Sequence, residues 1–245
     1  MRRSLAGNMG GLDGIGEPLA EAVLIAPAMS TGIAAIDSAL PWAGLPRGVH
    51  EIAASLNDPA GVGFAAILLA ARPGPILWCR SRRTAVESGS LYGVGLARFG
   101  LAPERVIQVE ADKPADLLWA MEEGLRAGKY ASVVGEGAAP DLTASRRLQL
   151  AAESRGGVAL LLSACPRAPS VGRSPPLACM TRWLAASAPT IPEAGGPGGP
   201  RWALELRRCR GGGRPQSWIV EWDDATLSLS LVSPLADRSL AAVAG

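Results

Sequence analysis

The residues of this 245-residue chain best placed to do chemistry lie along a strand, a turn and a helix between Val49 and Ala71. That is the order in which a phosphate-binding loop is built. Such a loop needs glycine amides around the phosphates, a lysine against the β and γ charges, and a Ser or Thr on magnesium. Here the turn over 54–63 ends on Gly63, followed by Phe64 and Ala65 where lysine and hydroxyl should stand. Asp58 takes the place of the first glycine, and its charge repels phosphate. The companion acids fail too. A strand over 130–134 should end on a metal-ordering aspartate but runs into Gly135 and then Glu136, read as a loop carboxylate. The strand over 75–80 should lead to a water-activating acid and leads instead to Arg80-Ser81-Arg82-Arg83, read as a solvated loop. Losing the lysine, the hydroxyl and the acids together argues against phosphoryl transfer. The expectation is a non-enzyme with no catalytic residue, no cofactor and no metal.

Other chemistries have little to work with. His50 is the single histidine, at a strand start, so a histidine-based triad or metal site would rest on one residue. Cys79, Cys165, Cys179 and Cys209 form no C-x-x-C pair and read as small hydrophobes. Glu122-Glu123 and Asp223-Asp224 are adjacent, so their side chains diverge and read as solvated. Arg207, Arg208, Arg210 and Arg214 surround a Gly-Gly-Gly turn. They form either a basic finger for an acidic partner or phosphate, or a solvated hairpin tip. Trp202, Trp218 and Trp222 alternate with polar residues, which favours a buried sheet face over a stacking platform for single-stranded DNA.

Strands over 49–53, 75–80, 105–110, 130–134 and 158–163 alternate with helices over 64–71, 112–126 and 143–155. A short helix over 33–40 precedes them. Alternation of this kind requires crossover units and a largely parallel sheet. In the helix over 143–155, Leu148, Leu150, Ala151 and Ala152 are read as one buried stripe. After residue 164 the pattern changes to a Pro-rich loop, a strand over 179–188, a Gly/Pro-rich excursion over 191–200, and three segments of period two. The predicted architecture is an α/β core, with a mostly parallel sheet flanked by helices and a C-terminal antiparallel β-meander over 201–232. Residues 1–28 read as a flexible arm, 29–233 as the domain and 234–245 as a short tail.

Hydrophobic residues make up 48% of the chain and no apolar run is long enough to cross a bilayer, which points to the cytoplasm. A formal net charge of +2 makes no global electrostatic case for nucleic acid. Lys113 and Lys129 are the only lysines among 24 basic residues, so each arginine cluster is discounted for compositional bias.

Several stretches carry a family resemblance. Ser30-Thr31-Gly32 through Asp37 and Leu40, then Gly44-Leu45-Pro46-Arg47-Gly48 and Glu51-Ile52, resemble the N-terminal boundary of the RecA ATPase core. Gly63-Phe64-Ala65-Ala66, Ile76-Leu77-Trp78, the run over 116–123 and above all that over 141–153 resemble the ImuA family, accessory proteins of the bacterial damage-inducible mutagenesis cassette. Arg201-Trp202 and the run over 213–218 continue the resemblance, which covers about residues 30–232. It implies a RecA-like core and an adaptor that acts with ImuB, a Y-family polymerase relative, with an error-prone DnaE-type polymerase, and with RecA. The alternatives are a nucleotide-gated or weakly active ATPase, a direct single-stranded DNA binder, and a regulator resembling the division inhibitor SulA.

Overall fold

The computed structural model describes residues 27–165, 176–191, 198–212 and 214–232. The expected arm and tail, and much of the Pro-rich loop and the Gly/Pro excursion, lie outside the described residues. A nine-stranded sheet organises the rest. Its parallel part comprises β3 (Gly48–Ser55), β4 (Ile76–Ser81), β5 (Val106–Ala111), β6 (Ser132–Glu136), β7 (Val158–Cys165) and β8 (Thr181–Ala188). β9 (Arg201–Cys209), β10 (Gln216–Asp223) and β11 (Ser228–Leu231) continue it antiparallel. The order across the sheet is β11-β10-β9-β8-β3-β7-β6-β4-β5. β1 (Pro27–Met29) and β2 (Leu45–Pro46) pair separately, and α1 (Ala34–Asp37) lies between them. The parallel core and the antiparallel meander are both as the sequence patterns predict.

One sheet face packs on α2 (Ala60–Ala70), which is apolar on every side and correspondingly buried almost throughout. Gly63 permits the closest approach: a Cβ there would stand 2.6 Å from the Trp202 ring. The other face packs on α5 (Pro114–Ala127) and α6 (Leu142–Arg155). α5 begins with Pro114 in its first turn and ends at Gly128 in the left-handed region, and Leu117, Met121 and Leu125 repeat on its buried side. In α6 the Asp141 side chain caps the Ala144 N–H at 2.7 Å. Leu148, Ala151 and Ala152 are buried as predicted, whereas Leu150 is 65% exposed. Leu150 is out of phase with the 3.6-residue stripe, and Gln149 takes its place, its Oε1 accepting the Val49 N–H at 2.8 Å.

In the meander Trp202, Leu204, Leu206, Val220, Trp222 and Leu229 face inward. Leu227 and Leu231, which flank Leu229 at a spacing of two, are exposed at the short outer strand. Phe99 packs on both Trp202 and Trp222. Two helices had no counterpart in the sequence reading, α3 (Arg82–Ser88) and α4 (Gly93–Arg98). His50 is fully buried in β3. Its Nε2 donates to the Pro46 carbonyl at 2.8 Å, so its Nδ1 accepts from the Thr181 hydroxyl, which accepts in turn from the Trp183 indole. Burial outweighs the bond to Pro46 and brings the His50 pKa down to about 4, so the ring is neutral.

Candidate functional site

A cleft of about 960 Å³ opens at the carboxyl ends of β3, β4, β6 and β7, where open α/β sheets bind ligands. It is the place a nucleotide would occupy, and its walls are built otherwise. The turn between β3 and α2 is four residues long, because the strand runs to Ser55 and the helix begins at Ala60. The sequence pattern predicts a turn of ten residues, 54–63, and a helix start at Phe64. The earlier start draws Gly61 and Gly63 into the helix, so they no longer supply a loose phosphate cradle. Three of the amides at this end are already committed. The Asp58 N–H bonds to the Ser55 carbonyl, the Ala60 N–H to the Asp58 carboxylate at 2.9 Å, and the Gly63 N–H to the Pro59 carbonyl.

Asp58 thus occupies the helix N-terminus with its own carboxylate, where a phosphate would benefit from the helix dipole. Its oxygens also accept from the Ser187 backbone and hydroxyl, at 2.9 and 2.7 Å, which ties the turn to β8. Partial burial pushes the Asp58 pKa upward, but the bonds from Ser187 and Ala60 together hold it below the usual carboxylate range. Phe64 and Ala65 are fully buried in the core, with Phe64 edge-on to Trp183 at 5.8 Å. Neither position reaches the cleft.

The second half of the site holds a buried ion pair. Strand alternation turns Gly135 toward α5, where a Cβ would collide with Met121, and turns Glu136 toward the cleft. The acid expected to be missing at Gly135 therefore has a counterpart one residue later. Glu136 is no loop carboxylate: it ends β6 and is 7% exposed. Arg80 ends up beside it inside β4, 2% exposed, rather than in a solvated loop. Its Nε donates to Glu136 Oε2 at 2.7 Å, Nη2 to Oε1 at 3.1 Å, and Nη1 to the Gly89 carbonyl at 2.8 Å. The Trp78 indole N–H adds a fourth bond, to Glu136 Oε2 at 2.8 Å. This forked arrangement satisfies both charges internally. Nothing in the local sequence reveals it, beyond the spacing of two that puts Trp78 and Arg80 on one strand face.

Arg83 also lines the cleft and pairs with Glu87 at 2.8 Å, while Arg82 pairs with Asp112 outside it. The lining charges sum to about one negative charge, carried by Asp58, and the remaining walls are largely apolar. Such a cleft does not attract a polyphosphate. Among the described residues no group of His, Cys, Asp or Glu is arranged to hold a metal, and no helix is long and apolar enough to cross a membrane.

The four hairpin arginines do not form one cluster. Arg207 and Arg208 are neighbours in β9 where its register against β8 shifts, and Arg207 pairs with Glu205 at 3.3 Å. Arg210 lies 3.7 Å from Glu153 of α6. Arg208 and Arg214 are exposed. Trp202 and Trp222 are buried and Trp218 is half-buried against Trp183, so the sheet-face reading of these tryptophans holds. Glu122, read as solvated, is 3% exposed and pairs with Arg126 and Arg147.

Comparison with known proteins adds the following. The chain is 39% identical over 234 residues to "Protein ImuA" of Caulobacter vibrioides strain NA1000 / CB15N, covering 88% of this chain and 93% of that protein. The ImuA protein of Caulobacter vibrioides strain ATCC 19089 / CB 15 matches to the same extent. No protein-family profile matches. Among solved structures, the RadB recombinase superposes with a TM-score of 0.57 at 15% identity, covering 83% of this chain and 99% of that one. The fold is therefore that of the RecA-like recombinases.

Proposed function

The chain belongs to the ImuA family, and on that premise we propose that it is a non-catalytic RecA-like adaptor in DNA-damage-induced mutagenesis. In this reading it supports translesion synthesis alongside an ImuB-type Y-family polymerase relative and an error-prone DnaE-type polymerase, with RecA as a further contact, in the cytoplasm and at the nucleoid when in complex. The observation that carries it is the carboxyl edge of the sheet. Asp58 caps the helix N-terminus where a phosphate would bind, and Glu136, which faces the cleft from the end of β6, is paired with Arg80. A RecA-like core with no hydrolysis cycle acts through its surfaces.

The surface assigned to a partner is the β9–β10 hairpin with Arg207, Arg208, Arg210 and Arg214. Charged residues at a rim steer and orient an approaching partner. Two measurements test the reading. Calorimetry with ATP and magnesium is expected to give no heat of binding, and purified protein no turnover above background. The quadruple arginine-to-serine variant is expected to keep its thermal transition, yet to retain less ImuB-type partner in a pull-down and to lower damage-induced mutation frequency. Saturable ATP hydrolysis abolished by substitution in the 56–59 turn would defeat the non-catalytic half. A folded quadruple variant with normal partner capture and normal mutation frequency would defeat the hairpin half.

A further inference from the structure

The cleft at the carboxyl edge owes its depth to strands of unequal length. β6 makes its last pair with β7 at Glu136 and Leu162, whereas β7 runs on to Cys165. Backbone groups alternate sides along a strand. The odd-numbered residues of this segment face β3, as Gly157 does in accepting the Gly48 N–H at 3.0 Å. The even-numbered ones face β6, as Leu162 does in accepting the Gly137 N–H at 3.1 Å. Gly137, at a φ of +76, then leads the chain away. Ala164, two residues beyond Leu162, therefore turns its N–H and C=O toward the side that β6 has left. Among the described residues neither group has a partner there. Ser163, Ala164 and Cys165 all line the cleft. An open strand edge of this kind accepts an extended chain.

The same cleft offers apolar surface at its mouth. Leu56 and Tyr92 are 58% and 70% exposed, and both line it together with Val62, Leu91 and Phe99. Leu56 stands at the second position of the turn that the Asp58 N–H closes on the Ser55 carbonyl, and Asn57 takes the third position at a φ of +66. Asn tolerates that left-handed conformation, and the bonds from Ser187 to Asp58 fix the turn against β8. One exposed leucine is ordinary. Two large exposed apolar side chains lining one cleft of ligand-site size call for an occupant. The charge is as definite. Arg80 cancels Glu136 and Arg83 cancels Glu87, which leaves Asp58. Its carboxylate accepts three hydrogen bonds that favour the ionised form, so the cleft is negative at neutral pH. Sign alone disfavours an acidic ligand and favours a cation beside an apolar group.

We infer that this cleft binds an extended peptide segment of a partner protein, which pairs its backbone with Ala164, buries a large apolar side chain against Leu56 and Tyr92, and sets a lysine or arginine against Asp58. Backbone pairing supplies affinity in such a site, and the pockets for side chains supply selectivity. The inference rests on the reading that no nucleotide occupies this cleft. It gives the partner a contact separable from the β9–β10 hairpin.

The test pans a phage-displayed random peptide library on the full chain and measures the enriched peptide, labelled with fluorescein, by anisotropy. Enriched sequences are expected to place Lys or Arg beside a large apolar residue. Leu56→Ser/Tyr92→Ser removes two exposed side chains, so it is expected to keep the thermal transition and to lower affinity at least about tenfold. N-methylation scanned along the peptide is expected to weaken binding where an amide meets Ala164, while the quadruple hairpin variant binds the peptide as the parent does. Four results overturn the inference and leave the non-catalytic reading standing: no sequence enriched above background, a preference for acidic peptides, an affinity indifferent to the double substitution, or an N-methyl scan without effect. Displacement of the peptide by magnesium-ATP, with saturable ATP binding by calorimetry, overturns both, because the cleft is then a nucleotide site.

Discussion

Replacing Glu136 by alanine isolates what the buried pair at the carboxyl edge contributes. The substitution leaves Arg80 inside the sheet with its Nε and Nη2 unpaired, only Nη1 still reaching Gly89, and it strips the Trp78 indole of its acceptor. The side chains are 2% and 10% exposed, so water screens little of the loss. Breaking one member of such a pair costs about 3–5 kcal/mol, because a charge remains buried without compensation. A domain of this size holds roughly 5–15 kcal/mol in all. At roughly 2–4 °C per kcal/mol, the melting temperature falls by about 10 °C. Arg80→Met/Glu136→Leu removes both charges and fills the volume, and it is expected to cost no more than about 2 kcal/mol. Urea denaturation of the parent, Glu136→Ala, Arg80→Met and the double variant completes the cycle. A Glu136→Ala midpoint equal to the parent's, or a double variant as damaged as the sum of the single ones, would refute the pairing argument.

Three further outcomes follow from the same structure. His50 has a folded pKa of about 4, below its unfolded value of 6.5, so its contribution is fully present above about pH 6.5 and is lost as pH falls toward 4. Urea titrations at about pH 7.5 and pH 5 are expected to differ by about 2 kcal/mol in the parent, a difference His50→Gln removes; equal parent stabilities would contradict the burial account. Leu148→Asp places an unpaired charge at a 1% exposed site and is expected to unfold the domain, while Leu150→Asp, at a 65% exposed site, is expected to melt within about 2 °C of the parent. Circular-dichroism melts that rank the two the other way would show that the face of α6 is misassigned. Phe64→Lys is expected to create no ATP turnover and to cost at least about 3 kcal/mol, because it exchanges an aromatic packed on Trp183 for a buried ammonium; a stable variant that hydrolyses ATP would reverse the reading of α2.

Periodicity and residue type alone determine much of this protein. The alternation of strands and helices fixes the crossover topology, and period-two segments around Trp202, Val220 and Trp222 mark the antiparallel extension. Both signals are local, set by which face of an element is apolar. The absence of a lysine and hydroxyl after Gly63 is likewise written in the chain. Contacts between residues far apart in sequence required the fold. Nothing near Arg80 announces that Glu136, 56 positions away, neutralises it. Nothing near Asp58 announces that Ser187 anchors it across the cleft. The helix start at Ala60 rather than Phe64 is a tertiary decision too, because an apolar segment packed on β8 gains more from burial than its first residues lose in glycine flexibility. Charge shows the difference most plainly. A net charge of +2 is a sum over the whole chain and carries no position. Only the packing of three helix ends against the start of the sheet brings Arg72, Lys129 and Arg155 to one cleft, because electrostatic potential depends on distance in space and not on separation along the chain.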